Sequence, residues 1–197
     1  MKIITDRYVN EYVIEKSKFI SVLLPIEDAS KVKECIKNIK EEYPKATHYC
    51  YAYNINGVNH SSDDGEPSGT AGVPILKVLQ ASELDNVILI VVRYFGGIKL
   101  GAGGLLRAYS TSASQVLKSA VIRQKKTYSC YKTSVDYGLE QQFSRFIADL
   151  GGILDKQYNE KVEISFYLKD DKNIEILNDK FLGKLEFVKL SQKDIIE

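Results

Sequence analysis

The most constraining feature of the sequence is a run of six apolar residues, 87–92, between Asn86 and Arg93. Six residues are far too few to cross a bilayer, and an uninterrupted apolar run of this length is typical of a strand covered on both faces. Residues 86–94 are therefore predicted to form the most apolar strand of the protein, buried on both of its faces.

A long amphipathic helix is predicted to follow this strand, over residues 103–122. Its apolar side chains recur at helical spacing and predict a stripe that faces the core. The stripe consists of Leu105, Leu106, Tyr109, Ala113, Val116, Leu117 and Ala120. Five glycines in residues 95–104 join the strand to the helix.

Strands and helices alternate through the rest of the first half. The spacing of apolar residues predicts one or two strands in 12–26, a helix in 28–43, a strand in 48–55 and a helix in 73–83. Residues 56–72 are polar and contain glycine, and they are predicted to form one long loop.

The pattern changes after the short basic segment 123–127. A strand (128–136), a helix (139–150), a hairpin (153–158 and 161–168), a helix (171–181) and a last strand (184–190) are predicted. This βαββαβ order is that of ferredoxin-like domains. The sequence therefore predicts an α+β protein of two domains, residues 1–125 and 126–197.

Composition is that of an ordinary soluble globular protein, with 44% hydrophobic residues, 27% charged residues and a net charge of +1. Residues 1–126 carry 17 basic and 13 acidic residues, a net +4, whereas residues 127–197 carry a net −3. The mild asymmetry favours the first half as the part that binds anions.

The start of the chain has no apolar core of signal-peptide length, and we expect a cytoplasmic protein with no membrane partner. Three widely spaced cysteines support neither a disulfide framework nor a zinc ribbon.

Two loops have compositions that packing alone does not require. The first, residues 60–72, offers Asp64, Gly65, Glu66, Ser68 and Thr70 as a candidate functional loop, with His48 on the preceding strand. The loop lacks a nucleophile elbow around Ser68 and the twelve-residue calcium pattern, and Thr70 has an alternative role as the cap of the next helix. No cofactor, metal or catalytic residue is assigned.

The second loop combines glycine with positive charge at the start of a helix. Glycine lets a backbone approach a ligand closely, and a helix N-terminus offers free N–H groups and the positive end of its dipole. The candidate anion or nucleic-acid site comprises Arg93, Gly96, Gly97, Lys99, Gly101, Gly103, Gly104 and Arg107. Neither the P-loop nor the dinucleotide glycine pattern is present. The alternative is that these glycines serve only a tight strand-to-helix crossing.

Three segments resemble the signature of the IMPACT/YigZ family: "ATHYCYAY" (46–53), "DDGEPSGTAGVPIL" (63–76) and "VVRYFGGIKLGAGGLLRAYSTSA" (91–113). The resemblance implies an N-terminal βαβ domain similar to the second domain of a small-subunit ribosomal protein. It also implies a C-terminal domain similar to the last domain of elongation factor G, as in the bacterial branch of the family. Eukaryotic relatives are linked to regulation of translation initiation.

Three functional hypotheses follow. The leading one is a non-enzymatic protein of translation regulation that binds nucleic acid, RNA or the ribosome, and has a possible protein partner in the translation machinery. The second is an enzyme that acts on a phosphorylated small molecule, which requires the acidic and glycine-rich loops to line one cleft. The third is a protein-interaction regulator that docks through the sheet of the second domain.

Overall fold

The computed structural model describes residues 1–196, and the chain divides into two compact units between Gln124 and Lys125. The first unit contains β1 (Lys2–Ile3), β2 (Tyr8–Ile14), β3 (Ser17–Pro25), α1 (Val32–Glu42), β4 (His48–Ile55), β5 (Val58–Ser62), α2 (Gly72–Ser82), β6 (Val87–Tyr94) and α3 (Gly101–Ser119). Strand β7 (Arg123–Val135) crosses the division. The second unit continues with α4 (Tyr137–Asp149), β8 (Ile153–Tyr158), β9 (Val162–Leu168), α5 (Asn173–Lys180) and β10 (Val188–Ile196).

The first unit is a five-stranded antiparallel sheet in the order β2-β3-β6-β4-β5. Strand β6 lies in the middle, and its residues from Val87 to Arg93 are all buried, which confirms the prediction of a strand covered on both faces. Alternate residues point to opposite faces of a strand. Leu89 and Val91 pack in one cluster with residues of α2 and α3, whereas Ile88 and Ile90 pack in a second cluster with residues of α1.

Helix α3 begins two residues before the predicted start, and one member of its predicted stripe is wrong. Leu105, Tyr109, Ala113 and Val116 are buried, but Leu106 is 41% exposed. Successive residues of a helix differ by about 100° in direction. Leu105 and Leu106 therefore cannot both face the sheet, and the stripe runs through Leu105.

The predicted loop 56–72 contains a strand that the prediction missed. Strand β5 pairs with β4 through a hairpin in which Ile55 lies opposite Val58. The two turn residues, Asn56 and Gly57, have φ of +51° and +77°. Asn-Gly is the preferred pair for such a turn because both positions need a left-handed backbone. The Asn56-Gly57 dipeptide could therefore have predicted this hairpin from the sequence.

The second unit has the predicted βαββαβ order, and its antiparallel strands lie in the order β10-β7-β9-β8. Phe143 and Ile147 of α4 and Leu177 of α5 pack with the apolar side chains of β9 to form its core. The basic segment 123–127 is part of β7: residues 123 and 124 pair with β1, and residues 125–127 pair with β10. The last strand begins at Val188, four residues later than predicted.

Asp171 holds β7 and β10 together at one point of the second unit. Its carboxylate is paired with Lys189 of β10 and accepts a hydrogen bond of 2.9 Å from the hydroxyl of Tyr131 on β7. The bond from Lys189, with those from Ser129 and Tyr131, lowers the pKa of Asp171 from 3.8 to about 2.

This lowered pKa predicts a specific acid sensitivity. A carboxyl group with a lower pKa in the folded state stabilises that state above its unfolded pKa, and the contribution disappears as the pH falls through the folded value. The stability difference between the wild type and Asp171→Asn should therefore be constant above about pH 5, should shrink as the pH falls and should be lost by about pH 1. Urea unfolding of both proteins at each pH measures it. A difference that persists unchanged at about pH 2 would contradict the assignment.

In the part of the chain that the structure describes, no helix is both long and apolar enough to cross a membrane.

Candidate functional site

A cleft of about 420 Å³ lies in the first unit between residues 63–71 and the start of α3. We call it the α3 cleft and residues 63–71 the acidic loop. Six of its lining side chains are used below: His48, Glu66, Arg93, Phe95, Lys99 and Leu100. The acidic loop and the glycine-rich loop therefore line one cavity of ligand size. A larger cavity of about 620 Å³ beside α1 contains none of the predicted site residues.

The acidic loop is fixed by the carboxylate of Asp63. Its carboxylate accepts hydrogen bonds from the backbone N–H groups of Gly69, Ala71 and Gly72, at 2.8, 3.0 and 2.8 Å. Burial opposes ionisation of Asp63, but these three bonds outweigh it and lower its pKa. Asp63 therefore satisfies the N–H of Gly72, the first residue of α2, and those of two residues just before the helix.

Thr70 does not cap α2, contrary to the alternative role considered for it. Its hydroxyl donates to the carbonyl of Pro67 at 2.6 Å, inside the loop. Ser68 is exposed at the surface of the loop. Asp64 turns away from the cleft and accepts from the backbone N–H of Tyr49 at 2.6 Å. Of the predicted residues in this loop, Glu66 is the one that lines the cleft.

Glu66 and Arg93 form a buried ion pair, with side chains 3% and 5% exposed. One carboxylate oxygen, Oε1, accepts from Arg93 Nη1 at 2.6 Å and from the hydroxyl of Tyr109 at 2.7 Å. The guanidinium of Arg93 lies 5.4 Å from the ring centres of both Phe19 and Phe95. Arg93 was predicted as a cation for an external anion, but its charge is compensated inside the protein.

His48 reaches the same cleft from the first residue of β4. Its Nδ1 lies 2.9 Å from the backbone carbonyl oxygen of Asp64. A carbonyl can only accept, so Nδ1 carries the hydrogen and a neutral imidazole presents Nε2 as an acceptor. Nε2 lies 3.8 Å from Glu66 Oε2, which is too long for a direct hydrogen bond.

The start of α3 forms the other wall of the cleft. The residue before the helix, Leu100, provides no side-chain cap, so the first N–H groups of α3 have no side-chain acceptor there. Lys99 and Arg107 are exposed, and neither has an ion-pair partner among the described residues. An uncapped helix start with nearby cations attracts anions.

The five glycines of this region have different roles. A Cβ on Gly96 would lie 2.0 Å from the backbone carbon of Lys16, so Gly96 serves close packing against the β2–β3 hairpin. Gly97 and Gly101 have φ of +86° and +68° and open space around them. Gly103 and Gly104 lie within the first turn of α3. The predicted tight crossing is therefore present at Gly96, whereas anion binding at the start of α3 stays a prediction.

Sequence reasoning missed Tyr109 as a polar participant. It was assigned to the core stripe. A buried tyrosine hydroxyl needs a hydrogen-bond partner, and this requirement could have indicated that Tyr109 contacts a polar group. Burial raises the pKa of Tyr109, so the hydroxyl stays protonated and donates to Glu66. Its neighbour Cys50 also has its pKa raised by burial, to about 12. Such a thiol is unreactive.

Across residues 1–196, no three side chains of histidine, cysteine, aspartate or glutamate gather closely enough to hold a metal ion.

The family model described as the Impact N-terminal domain matches residues 15–117, which include every residue of the α3 cleft. The IMPACT family member YvyE of Bacillus subtilis is 41% identical over 165 residues, which cover 82% of this chain and 76% of YvyE. YigZ of Escherichia coli is 36% identical over 129 residues, 63% of each chain. A crystal structure of a hypothetical protein matches with a TM-score of 0.64 and 29% identity, over 96% of this chain and 97% of that one.

A eukaryotic relative matches a smaller share of the chain. Protein IMPACT of Rattus norvegicus is 33% identical over 106 residues, which cover 50% of this chain and 30% of that protein. The match to the family model and the likeness to YvyE extend over more than half of the chain. The chain therefore belongs to the IMPACT family.

Proposed function

We propose that this protein binds single-stranded RNA through the α3 cleft, in a role connected with translation. The observation that carries the proposal is the combination, in one cleft, of an exposed aromatic ring, an unpaired cation and an uncapped helix start. Phe95, Lys99 and the first turn of α3 provide these three features.

The start of α3 supplies phosphate recognition. Its free N–H groups and the positive end of its dipole favour a negatively charged oxygen, and the ammonium of Lys99 adds a full charge beside them. Arg107 lies about 1.7 turns after the start of α3 and is exposed. A phosphodiester backbone that follows the helix start can meet both cations.

Phe95 supplies base stacking. Its side chain is 45% exposed, and the guanidinium of Arg93 lies against the ring at 5.4 Å. An aromatic ring that is supported from below and open on another side is a platform for an unpaired base. Because bases in a duplex are already stacked, this feature favours single strands over double helices.

The family likeness supports a role in translation. The resemblance links eukaryotic relatives to regulation of translation initiation, and it relates the two domains to a small-subunit ribosomal protein and to elongation factor G. On this basis we propose that the protein binds this RNA at the ribosome. A likeness of fold alone is a weak argument for function, so the cleft residues carry the proposal.

The charges of the cleft predict how binding responds to mutation and salt. The double variant Lys99→Ala/Arg107→Ala should bind a short single-stranded RNA at least about tenfold more weakly, because two phosphate contacts are removed. The slope of log Kd against log salt concentration should fall by ~1.4, because each phosphate contact to a single strand contributes about 0.7 to the slope and two contacts are removed. Fluorescence anisotropy at several salt concentrations measures both quantities.

The matched control is Lys33→Ala/Lys118→Ala, which removes the same charge from α1 and from the far end of α3. It should leave affinity and salt slope nearly unchanged. Equal losses in the two double variants would mean that net charge, and not the α3 cleft, determines binding. Absence of salt-dependent binding in the wild type would overturn the proposal.

The second candidate function is an enzyme that acts on a phosphorylated small molecule. The observation in its favour is that the acidic loop and the glycine-rich loop line one cleft, which places His48 and Glu66 opposite the start of α3. The same binding assay distinguishes the two, with phosphorylated metabolites as competitors of the RNA. Displacement of the RNA by a small phosphate ester, at ester concentrations that do not unfold the protein, would favour the enzyme.

A further inference from the structure

We propose that His48 and Glu66 form a subsite for the exocyclic amino group of a nucleobase, so that the α3 cleft prefers cytosine, adenine or guanine to uracil. This inference rests on the proposed binding of RNA and adds base selection to it. Phosphate contacts position a nucleic acid, whereas contacts to base edges specify its sequence. The α3 cleft has groups of both kinds on its walls.

Glu66 provides the first acceptor of the subsite. Its Oε1 already accepts from Arg93 and Tyr109, whereas Oε2 has no hydrogen bond to any described residue. The buried ion pair and the protonated hydroxyl of Tyr109 fix the carboxylate in one orientation. Glu66 lines the cleft, so Oε2 is the carboxylate oxygen that can accept a hydrogen bond from a ligand.

His48 provides the second acceptor. The bond from Nδ1 to the carbonyl of Asp64 commits the hydrogen of the neutral ring to that side, which leaves the lone pair of Nε2 free. Because Nε2 and Glu66 Oε2 are 3.8 Å apart, one donor nitrogen can lie within about 2.9 Å of both. That nitrogen must carry two hydrogens that point to different acceptors.

An amino group meets this requirement and a carbonyl oxygen does not. Cytosine presents an amino group at C4, where uracil presents a carbonyl oxygen. An amide-type –NH₂ donates twice, and carboxylates are established acceptors for the cytosine amino group. The uracil oxygen would face two acceptors with no hydrogen between them. The two rings also differ at N3, which accepts in cytosine and donates in uracil, so a cytosine that lacks only its amino hydrogens is needed as a control.

The test compares oligo(C) with oligo(U) of about 10 nucleotides, measured by anisotropy on the full chain at one salt concentration. The expected result is that oligo(C) binds about tenfold more tightly, the effect of a hydrogen bond to a charged group. Oligonucleotides of N4,N4-dimethylcytosine keep the ring but have no amino hydrogens. They should bind like oligo(U).

Two variants locate the preference. His48→Phe keeps an aromatic ring and removes the acceptor, and it should bring the affinities for oligo(C) and oligo(U) to within about twofold while the salt dependence stays. Glu66→Gln places an amide NH₂ donor where Oε2 was, so it should abolish or reverse the preference if its unfolding curve shows a folded protein. His48→Phe leaves the buried ion pair in place, so it decides the question if Glu66→Gln does not fold.

The outcomes separate this inference from the proposed function. Binding of oligo(C) and oligo(U) with equal affinity, or a preference that survives His48→Phe, overturns the amino-group subsite and leaves RNA binding standing. A failure of every oligonucleotide to bind overturns both. A cytosine preference that is lost in His48→Phe, while Lys99→Ala/Arg107→Ala weakens both RNAs equally, supports both.

Discussion

Replacement of Glu66 by alanine is expected to lower the free energy of unfolding by about 3–5 kcal/mol, because it leaves the guanidinium of Arg93 buried without a compensating charge. The side chains of this pair are 3% and 5% exposed, so the guanidinium would lose its charge partner at a position with little contact to solvent. The hydroxyl of Tyr109 loses its acceptor in the same substitution. Urea unfolding of wild type and variant measures the difference.

The control for this prediction is the double replacement Glu66→Met/Arg93→Met. Exchange of a whole buried ion pair for apolar side chains of similar volume is often neutral, so the double variant should be more stable than Glu66→Ala alone. A double variant at least as unstable as Glu66→Ala would show that the loss comes from packing in the cleft and not from an unpaired charge.

The second large effect is expected at Gly96. A Cβ at this position would lie 2.0 and 2.1 Å from the backbone carbon and oxygen of Lys16, and backbone atoms cannot rotate away as a side chain can. Gly96→Ala must therefore separate the end of β6 from the β2–β3 hairpin, and we expect a loss of about 3 kcal/mol, the upper part of the range for overpacking. Thermal or urea unfolding measures the loss.

Gly97→Ala is the matched control one residue along the chain. Gly97 has a φ of +86°, but a Cβ added to it would have no neighbouring atom within 4 Å, so alanine meets backbone strain without a steric clash. We expect a loss of about 1 kcal/mol. If the two variants were equally destabilised, the close approach to Lys16 would not be the reason for glycine at position 96.

The sequence was sufficient for elements that depend on local pattern. The apolar run of residues 87–92 predicted the central strand, and the second unit's βαββαβ order followed from periodicity alone. The Asn56-Gly57 hairpin was missed because the polar composition of residues 56–72 was given more weight than the turn dipeptide. Leu106 was misplaced because helical spacing alone leaves the edge of an apolar stripe undefined.

The chemistry of the cleft was less accessible to sequence reasoning. His48, Glu66 and Arg93 were all candidates, but they were assigned to separate loops, one acidic and one basic. Their meeting depends on the pairing of β4 with β6, which places His48 opposite Arg93. No local pattern encodes that register. The pairing of Arg93 with Glu66, which removes Arg93 as a cation for an external anion, therefore could not be predicted from the sequence pattern.

The hydrogen bonds of Asp63 have a consequence for the kinetics of binding. Three backbone N–H groups hold the acidic loop against the start of α2 through the carboxylate of Asp63. A wall that is already ordered has little conformational entropy left to lose on association, so less of the contact energy is spent on ordering. Association at the α3 cleft should then approach the rate of a preorganised surface, without the lag of a loop that must first close.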